Sequence, residues 1–204
     1  MLQPDPTPQD TIERPTALHE HAAANLRFIR ATMEGATMFT GLSGKGYAVT
    51  GISAIGAAVL AAQQNMPLAW LTIWLLELVL AIVLCLGFML HKAQRQGLQL
   101  WSTSSRRLLY AFAPVMLAGA LLTLALVRTN TFALLPGTWL ALYGAAVISG
   151  GMHSVPAVSR MGLAFLALGA CGLLVPIERN LLLGIGFGGL HLLFGSLIWR
   201  QHGG

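Results

Sequence analysis

Six stretches of about twenty consecutive apolar residues occupy most of this chain, and no other feature restricts its fold as strongly. They are Gly46–Gln64, Pro67–Leu90, Leu108–Val127, Phe132–Gly150, Ala157–Pro176 and Asn180–Trp199. About 20 apolar residues of helix cross the hydrocarbon core of a bilayer. Hydrocarbon offers the backbone no hydrogen bonds, so each stretch must bond to itself as a helix. Only 9% of the 204 residues are Asp, Glu, Lys or Arg, against about 25% in a soluble domain. The expected fold class is therefore all-α: an integral membrane bundle of six transmembrane helices preceded by an amphipathic N-terminal helix.

The separators carry turn and breaker residues. Asn65-Met66-Pro67 parts the first two spans, Arg128-Thr129-Asn130 the third and fourth, and Pro176 to Asn180 the fifth and sixth. Proline is tolerated at a helix start, which suits Pro67 and Pro136. Pro114 lies inside the third span and should kink it. The fourth and fifth spans are rich in glycine and are the ones expected to be shortened or broken. The Gly- and Ala-rich first and fourth spans raise the possibility of two inverted sets of three helices.

Basic residues mark orientation. Arg14, Arg27, Arg30, Lys45, Lys92, Arg95, Arg106, Arg107, Arg160 and Arg200 fall on one side, and only Arg128 and Arg179 on the other. The bias predicts that both termini are cytoplasmic. It also absorbs the net charge of +5, so no nucleic-acid partner is expected. Residues 1–16, with Pro4, Pro6, Pro8 and Pro15, read as a disordered tail. Residues 17–40 read as a cytoplasmic-side amphipathic helix, with Leu26, Ile29, Met33 and Ala36 in one stripe. Residues 46–200 form the bundle. Trp70, Trp139 and Trp199 fall near span ends, where indole rings favour the membrane interface.

Ionisable groups in hydrocarbon are costly and usually face protein. Glu77 is the one acid within a span, and His191 the one histidine deep in a span. Each lies ten positions from the outer start of its helix, about 15 Å at 1.5 Å per residue, so both sit near the midplane. Gly184, Gly188 and Gly195 share a helical face with His191, and small residues let a second helix approach closely. If the second span is that helix, Glu77 and His191 pair directly or through a water. The pair would act as structural glue, or as a proton or ligand site with Tyr143 nearby.

Other chemistry has no support. Cys85 and Cys171 lie at different depths, and there is no CxxC, so neither a disulfide nor a zinc site is expected. No metal and no cofactor is expected. Gly41-Leu-Ser-Gly-Lys-Gly46 lacks the phosphate-loop pattern, no lysine lies deep enough for a Schiff base, and HExxH and GxSxG are absent.

Three segments carry a resemblance: Asn25-Leu-Arg-Phe-Ile-Arg-Ala-Thr-Met-Glu34, Leu135-Pro-Gly-Thr-Trp-Leu-Ala-Leu-Tyr-Gly144 and Gly186-Phe-Gly-Gly-Leu-His-Leu-Leu-Phe-Gly195. Together they resemble a family of bacterial multi-pass inner-membrane proteins of unknown function. The resemblance implies a bacterial inner membrane and supplies no activity or site residue. The leading expectation is a small transporter-like or channel-like module. The alternative is a non-transporting sensor or complex subunit whose N-terminal helix and basic loop bind a cytoplasmic protein. Expected partners are the lipid bilayer and either an unknown protein or further copies of the chain.

Overall fold

The computed structural model describes residues 20–29, 41–97 and 101–202. Within these, α1 (residues 20–29) forms a unit by itself, and the remaining helices form a second unit. All ten residues of α1 are exposed, including Leu26 and Ile29 of the expected stripe. Met33, Ala36 and the Pro-rich tail lie outside the described residues.

The bundle contains α2 (Gly44–Ala62), α3 (Pro67–Gln96), α4 (Thr103–Arg128), α5 (Leu135–Gly151) and α6 (Pro156–Leu174). The last span is composite: α7 (Arg179–Leu183), a π-helical segment (Gly184–Leu190) and α8 (His191–His202). Six helices are long and apolar enough to cross a membrane, the sixth running Arg179–Gln201, and no β-strand occurs among the described residues. The chain is thus an all-α, multi-pass membrane protein.

Caps explain the boundaries. The Ser43 hydroxyl accepts from the Gly46 N–H at the start of α2, and Ser102 and Ser105 cap α4 reciprocally. Pro67 and Pro156 stand in the first turns of α3 and α6, where their missing N–H costs nothing. Helix α4 continues through Pro114. Of the glycine-rich spans expected to be shortened or broken, the fourth opens with a 3-10 turn (Phe132–Leu134) that shortens its α-helix, and neither is broken within its α-helix. The irregularity falls in the sixth, where Gly184, Gly186, Gly188 and Gly189 share a seven-residue π segment.

Two closely packed antiparallel pairs organise the bundle. Helix α2 packs on α8 and α5 on α6. In each pair small residues recur every seven positions, two turns apart on one face: Gly44, Gly51 and Ala58 against Gly195 and Gly188, and Gly137, Gly144 and Gly151 against Gly169 and Gly162. A Cβ added to Gly51 would lie 2.7 Å from the Gly188 carbonyl, and one added to Gly162 would lie 2.7 Å from the Ile148 amide nitrogen. Such spacing brings backbones into direct contact. Between helices in lipid, where apolar burial gives little drive, packing of this kind supplies the attraction. Each of these glycine-rich helices packs on two neighbours, α2 on α3 and the last span, α5 on α6 and α4.

The outer helices are thinly attached. Helix α3 packs on α2 and α4 on α5, and α4 has no fully buried residue. Their exposed leucines and valines form the lipid-facing surface.

Candidate functional site

The space between the two glycine-packed pairs is filled by aromatic rings around His191. The ring of His191 stacks on Tyr47 of α2 at 5.6 Å and 24°. It meets Phe165 of α6 edge-on at 5.1 Å and Phe187 of the π segment at 6.1 Å. Tyr143 of α5 packs on Phe112, Phe165 and Phe187. One cluster therefore joins α2, α4, α5, α6, the π segment and α8, and α3 enters it through Trp74, 6.3 Å from Phe187.

Both nitrogens of His191 are used. Nδ1 lies 2.8 Å from the Phe187 carbonyl, which can only accept, so Nδ1 carries the hydrogen. In the neutral ring Nε2 is then the acceptor for the Tyr143 hydroxyl, 2.8 Å away. The tautomer is set by the π segment, whose Phe187 carbonyl stands one turn before the ring.

Glu77 and His191 make no direct hydrogen bond to each other. The glycine face of the last span packs on α2, the first span, and not on α3. Gly184, Gly188 and Gly195 each back onto α2, near Ala58, Ile55 and Ala48. Glu77 finds its partner on α2 instead: the Ser53 hydroxyl lies 2.7 Å from Oε1 and 2.9 Å from the Thr50 carbonyl. Of the three expected site residues, the structure brings Tyr143 and His191 together and leaves Glu77 apart.

The Glu77–Ser53–Thr50 chain accommodates either state of the carboxyl group. An ionised Glu77 accepts from Ser53. A protonated one donates to the Ser53 oxygen, while Ser53 keeps its own hydrogen on the Thr50 carbonyl. One turn before Glu77, the buried indole N–H of Trp74 has no hydrogen-bond partner, an expensive omission in a buried setting. Neither Ser53 nor Trp74 was singled out in the sequence. A lone serine three residues from a threonine is a weak signal in an apolar span, and a tryptophan among leucines reads as packing.

A second polar chain closes the end of the bundle where α7 begins. Glu178 precedes α7 and accepts from the Leu181 N–H at 2.6 Å and the Asn180 side-chain amide at 2.8 Å. Burial opposes ionisation of Glu178, but the hydrogen bonds from Asn180 and Leu181, with the Arg179 charge, outweigh it and hold the carboxyl below its ordinary value. Asn180 in turn accepts from the Trp70 indole at 2.8 Å. Trp70 is fully buried and stacks on Trp139 at 5.6 Å and 6°, and the Trp139 indole donates to Thr123 at 2.8 Å. Trp70 thus joins α3 to α5 and α7 inside the protein rather than anchoring in the headgroup layer. At the opposite end, the buried Lys92 donates to the Leu42 carbonyl at 2.9 Å, so this counted topology residue also ties α3 to the entry of α2.

Cys85 lies 3.4 Å from the Thr50 hydroxyl, and both cysteines are free. Comparison of the chain with protein-family models, curated proteins and solved structures finds no match to any of them.

Proposed function

We propose that this protein is a small transporter-like module of a bacterial inner membrane, working at the midmembrane junction of the last span with α2 and α3. The observation that carries the reading is the seven-residue π segment, Gly184–Leu190, running directly into the buried His191. π-Helical turns are rare and concentrate at functional sites. In transporters, glycine-interrupted spanning helices near the midplane mark binding sites. A π segment has two available hydrogen-bonding registers, so its conversion to α-helix would rotate Phe187 and the glycine face against α2. Glu77 supplies an ionisable group that can load and release a proton without losing its hydrogen-bond chain. Backbone contact at the glycines leaves the interior closely packed. This favours a transporter that opens by helix movement over a channel with a standing pore.

Glu77→Gln retains shape and the Ser53 contact but cannot ionise. Difference infrared spectra of the purified wild type, taken between alkaline and acid pH, should show a carboxylic-acid band that is missing in E77Q. The same pH change should alter the labelling rate of a cysteine placed at Gly189 in the wild type and not in E77Q. A spectrum in which E77Q and wild type are identical would remove the proton-site reading.

The ten-to-two distribution of Lys and Arg supports cytoplasmic termini. A C-terminal alkaline phosphatase fusion should be inactive, and an active one would reverse the orientation.

The competing reading, a non-transporting sensor or complex subunit, draws support from α1, where Leu26, Phe28 and Ile29 are more than half exposed. Under it, deletion of residues 1–40 has a cellular phenotype and E77Q has none.

A further inference from the structure

We infer that the outward face of α8 is a binding site for an anionic glycerophospholipid. A groove of about 470 Å³ runs along this helix, lined by Gly189, Leu192, Leu193, Ser196, Leu197 and Arg200. Its polar groups are ordered by depth. Arg200 lies at the end of the helix, Ser196 one turn further in, and beyond them only leucine side chains and the bare backbone at Gly189. At 1.5 Å per residue, Ser196 is about 6 Å and Gly189 about 16 Å deeper than Arg200. The second figure is half the ~30 Å hydrocarbon thickness, the depth that one acyl chain occupies. The sequence of groups in a phospholipid is the same: phosphate, then ester carbonyl, then hydrocarbon.

Each polar group on this face lacks a hydrogen-bond partner among the described residues. Arg200 makes no ion pair and no hydrogen bond with the described residues. The described acids of the bundle are engaged elsewhere, Glu77 with Ser53 and Glu178 with Asn180 and Leu181. Ser196 is exposed and makes no hydrogen bond either, whereas Thr50, Thr72 and Thr123 turn their hydroxyls onto the carbonyl four residues back. An exposed hydroxyl in lipid must find an acceptor, and an ester carbonyl is the acceptor present at that depth. A second cation stands at the same end: Lys45 of α2 lies 5.1 Å over the half-exposed Trp199 ring. Two cations flanking an interfacial tryptophan select a negatively charged headgroup over a zwitterionic one. At Gly189 a Cβ would meet nothing within 4 Å, so the absent side chain there serves no contact within the protein and leaves the groove open for a chain end.

Native mass spectrometry of the full-length protein, titrated in detergent with phosphatidylglycerol or phosphatidylcholine of identical acyl chains, tests the site. The wild type should bind phosphatidylglycerol more tightly. Arg200→Gln should weaken phosphatidylglycerol about fivefold, the effect of one cation near a membrane surface, and leave phosphatidylcholine unchanged. Gly189→Leu should fill the groove without disturbing the fold and weaken both lipids. Equal affinity of the wild type for the two lipids, or an unchanged phosphatidylglycerol affinity in R200Q, would overturn the proposal. So would efficient disulfide cross-linking of two copies through Ser196→Cys, which would make the groove an interface between copies of the chain.

Discussion

Gly169→Ala should destabilise the bundle by about 1–3 kcal/mol or more, the range for overpacking a filled interior. The added methyl would overlap the Ala141 amide nitrogen and lie 2.7 Å from its Cα and 2.8 Å from the Gly137 carbonyl. All three are backbone atoms of α5, so no rotamer change relieves the clash and the helices must separate. Gly144→Ala should behave alike, 2.7 Å from the Gly162 carbonyl, as should Gly44→Ala, 2.6 Å from the Gly195 carbonyl. At Gly186 and Gly172 the obstacle is the end of a leucine side chain, Leu140 and Leu182 respectively. Alanine there should cost less. Gly56 and Gly87 face open space, and alanine should be neutral or stabilising by up to about 1 kcal/mol from backbone entropy and helix propensity. Unfolding of the seven purified variants in mixed detergent would rank them. If Gly169→Ala unfolds no more readily than Gly56→Ala, the close-contact account of the bundle fails.

His191→Ala should cost about 3 kcal/mol or more, within the range for truncating a buried aromatic ring. Four rings surround the imidazole at 5.1 to 6.1 Å, and these come from α2, α5, α6 and the π segment. Its removal opens a void where the two glycine-packed pairs meet. His191→Phe refills the space but strands the Tyr143 hydroxyl and the Phe187 carbonyl bond, and should cost about 1–3 kcal/mol. Tyr143→Phe alone should cost about 0.6 kcal/mol, the average for hydrogen bonds between spans. In the double variant H191F/Y143F the stranded hydroxyl is gone. Part of the loss in H191F should therefore be recovered, and a double-mutant cycle would measure how much. A purely additive cycle would show that the 2.8 Å contact contributes nothing to stability.

The number of the spans was legible because hydrocarbon imposes a length and a polarity on each segment independently of its neighbours. The separators were legible for a related reason. Pro67, Asn130 and the Pro176–Asn180 segment break helices through local backbone chemistry, and Asn130 takes a positive φ of 56° as a turn residue. That Glu77 and His191 fall inside apolar spans was legible by counting along the chain. The partner of each was not, because which helices touch is settled by which small-residue faces fit. Glu77 and His191 belong to different contacts, with Ser53 and with Tyr143.

The glycines show the same division. Their abundance in the fourth and fifth spans suggested broken helices, because glycine has low helix propensity. In the structure those glycines hold α5 and α6 in backbone contact, and packing outweighs propensity. The π segment was invisible for the converse reason. Its glycines resemble those of α5, and only the fit of the last span against α2, α5 and α6 assigns it a wider turn.

The sequence by itself determined that this chain is a six-span, all-helical membrane protein, and which ionisable groups fall within its apolar spans. Apolar length, turn chemistry and rise per residue act locally, so they can be read along one dimension. Only the tertiary structure decided that α2 meets the last span and that His191 closes onto Tyr143 and the Phe187 carbonyl. It also decided that Glu77 turns to Ser53. In lipid, where every apolar face is equally at ease, helix pairing rests on small differences in backbone approach summed over whole interfaces, and those exist only in three dimensions.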